Sequence, residues 1–277
     1  MQFTKMQAAG NDYIYIDCFQ QPVSSPSELS IQLSDRHFGI GSDGIILIGP
    51  SDHADFSMRI YNADGSQAQM CGNGIRCVGK YVYEKGLTTK KLITVDTLAG
   101  VKTLELVVDD ENHVTAISVV MGSPHLEPEK IPYRPELLAE LERQVQQEGV
   151  AESICPVSMG NPHCILFVKD AFHAPVESIG PRVEQHPAFP ERANVEFVEV
   201  VDETHLKVRV WERGSGETLA CGTGACASAV AAILKKGAAE SLFVTLPGGT
   251  LHVTYYHSAQ QVILQGGAEF VFDGTLL

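Results

Sequence analysis

The sequence predicts an α+β protein of two pseudo-symmetric lobes, each a curved, mainly antiparallel sheet wrapped around a central helix, with the active site in the cleft between them. Three observations carry that expectation. Apolar runs rich in β-branched and aromatic residues recur along the chain, as strands do. Segments with a helical period are few. The second half of the chain also repeats the first at one constant offset, as a duplicated unit would.

The repeat is anchored by "MCGNGIRC" at Met70 and "ACGTGACA" at Ala220, which set Cys71 and Cys221 150 positions apart. At that offset "MRIYNADGSQAQMCGNG" (58–74) lies over "VRVWERGSGETLACGTG" (208–224) without a gap. Arg59 falls on Arg209, Ile60 on Val210, Tyr61 on Trp211 and Asn62 on Glu212. The same offset lays Gly10-Asn11 over Gly160-Asn161, and Gly44 over Asn194, each followed by an apolar run. Each half therefore contributes one cysteine. The N-terminal lobe is expected over 1–121 and the C-terminal lobe over 122–266, with the Pro-rich "GSPHLEPEKIPYRP" (122–135) at the crossing.

In the first half the strand-like runs are "DYIYID" (12–17), "GIILIG" (44–49), "FSMRIYN" (56–62), "LITVDTL" (92–98), "TLELVVD" (103–109) and "TAISVVM" (115–121). In the second they are "CILFVK" (164–169), "VEFVEVV" (195–201), "HLKVRVW" (205–211), "LFVTLP" (242–247), "LHVTYY" (251–256) and "QVILQG" (261–266). Helices are expected over 72–85 and 222–236. Both end in Lys followed by Gly (Lys85-Gly86, Lys236-Gly237), a helix-stop signal. "GACASAVAAILKK" is apolar nearly all round, which predicts burial. A third helix, amphipathic and expected at the surface, spans 135–147.

Composition narrows the function classes. The 277 residues are 44% hydrophobic and 19% charged, with no apolar run of membrane-spanning length and no signal-peptide pattern at the N-terminus, so a cytoplasmic globular protein is expected. A formal charge of −14 argues against nucleic acid or an anionic membrane as partner. The seven cysteines are odd in number, which disfavours a disulfide framework. Five residues separate Cys71 from Cys77 and four separate Cys221 from Cys226, so neither pair has the spacing of a zinc knuckle and no metal is expected. Cys18, Cys77, Cys155, Cys164 and Cys226 read as ordinary buried side chains.

Cys71 and Cys221 read differently because each is followed by Gly-x-Gly at a helix start. The first N–H groups of a helix lack internal partners, and with the helix dipole they make a carboxylate site. The same field is expected to lower a thiol there from about 8.5 toward neutrality. Two such loops, related by the repeat, would place one thiol on each side of a bound acid. Inversion at a carbon needs that arrangement: one thiolate removes the α-proton and the opposite thiol delivers a proton to the other face. Nucleophilic cysteine catalysis would need a dedicated His and leaves the second loop unused. A thiol-redox switch, or a binding module, is the reading from another class. No lysine is singled out for pyridoxal phosphate, so no cofactor is expected.

"MCGNGIRC" and "ACGTGA", together with "AAGNDYI", "YNADGS", "MGNPH" and "WERGSGET", resemble the diaminopimelate epimerase family, whose blocks appear in order across nearly the whole chain. The resemblance implies a cofactor-independent epimerase of LL- and meso-diaminopimelate, in lysine and peptidoglycan precursor synthesis, that is commonly a homodimer. It implies that 267–277 cross back to complete the first lobe. It further implies Cys71 and Cys221 as the acid/base pair, with His163 and Glu212 as their respective neighbours. Gly72, Asn73, Gly222 and Thr223 would hold the reacting carboxylate, while Asn11, Asn62, Asn161, Asn194, Glu212 and Arg213 would bind the rest of the substrate. Singly, each asparagine also fits a turn and His163 a structural histidine.

Two positions depart from the family pattern: Gln67, where Glu is usual, and Gly44, where some members carry a substrate-touching glutamine. Gly44 leaves its substrate contact to the backbone. The nearest alternative activity is racemisation of another amino acid, such as histidine or proline, on the same fold. Asn73 disfavours the proline version and Arg213 favours a dicarboxylate.

Overall fold

Strand β1 (Gln2–Ala8) turns back on β2 (Asn11–Asp17) as an antiparallel hairpin, and both strands bury most of their residues. Lys5 and Thr4 are among the buried ones. Lys5 ends in an ion pair with Asp12 at 2.5 Å and donates to the Gly41 carbonyl, so its charge is met inside the sheet. The computed structural model describes residues 1–277 and divides them into two units, Met1–Val120 with Gln265–Leu277, and Met121–Leu264.

The first unit continues with α1 (Pro26–Ser34), β3 (Gly44–Gly49), β4 (Phe56–Asn62), the short β5 (Gln67–Ala68) and α2 (Gly72–Glu84). A meander of β6 (Leu92–Thr97), β7 (Gly100–Val108) and β8 (Val114–Gly122) follows. β3 runs parallel to β2 and β6 parallel to β4, while β4 is antiparallel to β3. Helix α2 is the centre of this unit: Ile75, Cys77, Val78 and Val82 are fully buried.

The second unit holds a 3₁₀ turn (Pro128–Lys130), α3 (Pro135–Gln147), β9 (Ser153–Ser158), β10 (Pro162–Phe167), α4 (Val176–Glu184), β11 (Asn194–Asp202), β12 (His205–Glu212) and the short β13 (Gly216–Thr218). Then come α5 (Gly222–Lys236), β14 (Ser241–Leu246), β15 (Gly249–Tyr256) and β16 (Gln261–Gly266). The ten residues Gly222, Gly224–Ala232 of α5 are buried, as its all-round apolar composition predicts. The last strand, β17 (Glu269–Thr275), pairs antiparallel with β1 inside the first unit.

The repeat read from sequence is reproduced in strand register. Ile14 faces Ile45 in the parallel pair β2–β3, and Cys164 faces Val195 in β10–β11. Ile45 faces Tyr61, and Val195 faces Trp211. Ile60 faces Ala68, and Val210 faces Thr218. Antiparallel pairs dominate, with parallel exceptions at the same places in each half.

Several elements were not expected from sequence. Helix α1 is mostly polar, and only Leu33 of its apolar residues is buried, so its period is faint. Helix α4 contains Gly180 and Pro181, which read as breakers. Packing overrides that preference: Val176, Ile179 and Val183 join the core cluster against which Trp211 packs. A Cβ on Gly180 would lie 2.6 Å from Trp211 Cγ, so the helix approaches the indole only because the residue is glycine. Gly180→Ala is therefore expected to destabilise the protein by about 1–3 kcal/mol, read as a lower thermal midpoint. An unchanged midpoint would show that the indole moves aside freely.

Candidate active site

Cys71 is the N-cap of α2, with extended backbone (φ −136°, ψ 115°), and its sulfur accepts the Gly74 N–H at 3.3 Å. The Cys71 thiol donates to Asn11 Oδ1 at 3.2 Å. Asn11 is aimed by Asp43, whose Oδ2 accepts the Asn11 amide at 2.7 Å and the Asp12 N–H at 3.1 Å. Burial, then the charge of Asp12, pushes the Asp43 carboxyl up. Beneath the helix, fully buried Tyr15 donates to the Gly74 carbonyl at 3.2 Å. Buried Arg76 donates to the Gly72 carbonyl at 3.1 Å and to Asn73 Oδ1 at 2.9 Å, fixing the first turn of α2.

Gly44 and Asn62 face each other across β3 and β4. A Cβ on Gly44 would sit 2.2 Å from the Tyr61 carbonyl oxygen, so no side chain fits there and only backbone is offered. Asn62 donates its amide to Ser66 Oγ at 3.0 Å. Gln67 is exposed, with its amide 3.4 Å from the Tyr61 hydroxyl.

Cys221 repeats the N-cap geometry at α5, with φ −115°, ψ 116° and the Gly224 N–H donating to its sulfur at 3.4 Å. Gly222 and Thr223 begin the helix, and the Thr223 hydroxyl lies 3.4 Å from the Cys221 sulfur. Asn161 donates to Thr223 Oγ1 at 3.3 Å. Its Oδ1 faces His163 Nε2 at 3.0 Å, and His163 Nδ1 faces Glu196 Oε1 at 2.7 Å. His163 and Glu196 have no exposed surface.

Glu212 also faces the Cys221 thiol and accepts the Thr218 hydroxyl at 2.5 Å. Burial pushes its carboxyl up. Asn194 links strands by donating to the Pro162 carbonyl at 3.0 Å and accepting the Arg213 N–H at 2.9 Å. The exposed Arg213 guanidinium spends one N–H on the Glu191 carbonyl at 3.0 Å.

The helix-start field was expected to lower the thiols, yet the Cys221 thiol lies well above its ordinary value. Burial is the main cause, and the carboxylates of Glu212 and Glu196 add to it. The N–H of Gly224 and the Thr223 hydroxyl act the other way and are outweighed. Burial and the two carboxylates thus favour the protonated form of Cys221 over the thiolate.

The first unit gathers Cys71, Asn11, Gly72 and Asn73, with Gly44 and Asn62 on neighbouring strands. The second gathers Cys221, Thr223, Asn161, His163 and Glu212, with Asn194 and Arg213 joined beside them. The implied pairing placed His163 with Cys71; within its own unit the ring is tied to Glu196 and Asn161. Sequence reading missed Glu196, Thr218 and Asp43. The signal for Glu196 was an acidic residue inside "NVEFV", a strand stretch buried at every position. No three His, Cys, Asp or Glu side chains group closely enough to hold a metal ion. No helix is long and apolar enough to cross a membrane.

A family model described as "Diaminopimelate epimerase" matches residues 3–127 and 155–271. A curated diaminopimelate epimerase of Acetivibrio thermocellus is 52% identical over 276 residues, covering 100% of this chain and 98% of that protein. Those of Bacteroides thetaiotaomicron and Methanococcus maripaludis are 49% and 48% identical, each over 100% of this chain and 98% and 99% of their own. Among solved structures, a Bacillus anthracis phenazine biosynthesis protein of the PhzF family superposes with TM-score 0.72 at 19% identity, over 100% of this chain and 99% of its own. A hydroxyproline epimerase from Agrobacterium vitis does so with TM-score 0.65 at 14% identity, over 99% of this chain and 90% of its own. At those identities the likeness shows the α/β fold shared by these proteins.

Proposed function

Starting from the fact that the chain belongs to the diaminopimelate epimerase family, we propose that Cys71 and Cys221 are the two bases of its reaction. The reaction interconverts LL- and meso-diaminopimelate in lysine and peptidoglycan precursor synthesis, without pyridoxal phosphate. The family assignment disfavours racemisation of another amino acid. The observation that carries the two-base reading is the duplicated N-cap: each sulfur takes the N–H of the glycine three residues on, at 3.3 and 3.4 Å, at the start of a buried helix.

In this reading one sulfur, as thiolate, removes the α-proton, and the other, as thiol, protonates the opposite face. The carbanion delocalises into the carboxylate, which the first N–H groups of a helix hold where charge develops. Gly72, Asn73, Gly222 and Thr223 supply those groups. Glu212, packed on Cys221, takes up and returns that thiol's proton. Asn11, Asn62, Asn161, Asn194 and the backbone at Gly44 bind the amino groups and the chain of the substrate. Arg213 takes the distal carboxylate through its remaining N–H donors. We place the protein in the cytoplasm, as a homodimer that binds this small diamino diacid rather than nucleic acid.

The test is incubation of reduced protein with LL-diaminopimelate and no added cofactor, with chiral chromatography of the product. Formation of the meso isomer, with L-histidine and L-proline left unchanged, is the expected result. Turnover of histidine or proline alone would overturn the assignment.

A further inference from the structure

We infer that Glu196 is a positioning residue of the reaction, which clamps His163 and keeps the proton on Cys221 before substrate binds. The inference rests on the reading of Cys221 as one of the two bases. Its ground is a difference between two halves that otherwise repeat. In β3, Ile46 faces Tyr15, and a Cβ on Gly74 would meet Ile46 Cδ1 at 2.6 Å. In β11, the position facing Ile165 is Glu196, and a Cβ on Gly224 would meet Glu196 Oε1 at 2.7 Å. Where the first half sets an isoleucine under the opening turn of its helix, the second half sets a carboxylate.

That carboxylate is fully buried, and its two oxygens differ. Oε1 lies 2.7 Å from His163 Nδ1, whereas Oε2 is buried without a hydrogen-bond partner. A buried carboxylate oxygen left unpaired is costly, so a fold that keeps one has a use for its charge. The positive end of α5 and His163 make the anion tolerable there. The same anion competes with Cys221 for that positive end. The titratable groups facing it are His163 and Cys164 from β10, Glu212 from β12 and Cys221 at the start of α5.

The clamp also has a geometric consequence. Glu196 holds the proton on Nδ1 and so fixes the ring, whose Nε2 faces Asn161. Asn161 in turn reaches Thr223, which lies against the Cys221 sulfur. One buried carboxylate therefore sets both the orientation of this chain and the charge around the thiol. In the first half Cys71 donates to Asn11, which Asp43 holds in turn, so Glu196 makes the two thiols unequal at rest.

The test compares wild type with Glu196→Gln and Glu196→Asp, as full-length, reduced, ligand-free protein. Alkylation of Cys221 by iodoacetamide is followed against pH by mass spectrometry, with the far-ultraviolet circular dichroism checked for each variant. Removing a negative charge favours the thiolate. The Cys221 midpoint is expected to fall by about one pH unit or more in Glu196→Gln, and by less than half as much in Glu196→Asp. An unchanged midpoint in folded Glu196→Gln overturns the inference. If that variant does not fold, the ¹⁵N spectrum of His163 in wild type decides: a protonated Nδ1 supports the clamp, and an unprotonated Nδ1 overturns it. Neither readout needs turnover. A protein that shows these shifts but leaves LL-diaminopimelate unchanged contradicts the proposed function and not the role of Glu196 beside Cys221.

Discussion

Cys71→Ala and Cys221→Ala are each expected to abolish epimerisation, lowering kcat by at least about 10²–10⁴-fold. Both should still fold. The sulfur's bond to Gly74 or Gly224 is one cap interaction, worth about 1 kcal/mol, and alanine fills most of the same space. The chemical loss is far larger because inversion needs a group on each face of the carbon. With one thiol gone, the remaining sulfur reaches the α-proton of only one configuration and returns a proton to the same face. Each variant should therefore wash solvent deuterium into one diastereomer and leave the other untouched, with the two variants choosing opposite isomers. Proton NMR of LL- and meso-diaminopimelate in D₂O reads this directly. Inversion surviving in either folded variant at wild-type rate would remove that cysteine from the chemistry.

Glu212→Gln is expected to be the next most damaging change, with kcat reduced about 10²-fold or more. The Glu212 carboxyl faces Cys221 and is anchored by the Thr218 hydroxyl at 2.5 Å. Burial pushes it above the ordinary carboxylate range, which eases its protonation beside the thiol. Glutamine keeps the shape and the Thr218 contact but can neither take nor return a proton. Because a negative neighbour is lost, the Cys221 thiol should also ionise at lower pH, moving the basic limb of the kcat profile downward. Thr218→Val, which only loosens the anchor, should cost much less. A profile left unmoved by Glu212→Gln would make this carboxyl a binding group and not a proton carrier.

The parts of the site that repeat were the parts legible in sequence. Helices α2 and α5 announce themselves through Cys-Gly-x-Gly at one end and Lys-Gly at the other, and they begin at Gly72 and Gly222 as expected. β3, β4 and β16 fall on the expected residues because their apolar runs are bounded by glycine or polar residues. Where polar residues are buried in pairs, the pattern fails. Lys5, neutralised by Asp12, blurs β1, and Pro181 masks α4, whose hold on Trp211 is tertiary.

Glu196 was hidden by the repeat itself. Laid over Ile46, it passed as one more residue of an apolar strand, although an acid in a strand buried on both faces needs a partner. The electrostatics of Cys221 were out of reach for the same reason. A helix N-terminus is visible in sequence, and Glu212 was expected beside the thiol, but the burial of Cys221 and the second opposing carboxylate, Glu196 on β11, show only in the fold. Asp43 is a parallel case, since only the fold shows that it aims the Asn11 amide.

Proton transfer by two thiols on opposite faces of one carbon is tested by early-time turnover of LL-diaminopimelate in D₂O, with isotope content read by NMR and mass spectrometry. If two groups share the work, the proton delivered comes from a thiol already equilibrated with solvent. The meso product should then carry deuterium at the inverted carbon from the first turnovers, while the remaining LL substrate keeps its protium. Substrate protium appearing in the inverted position of the product would mean that one group carried it across, and would contradict the two-thiol account.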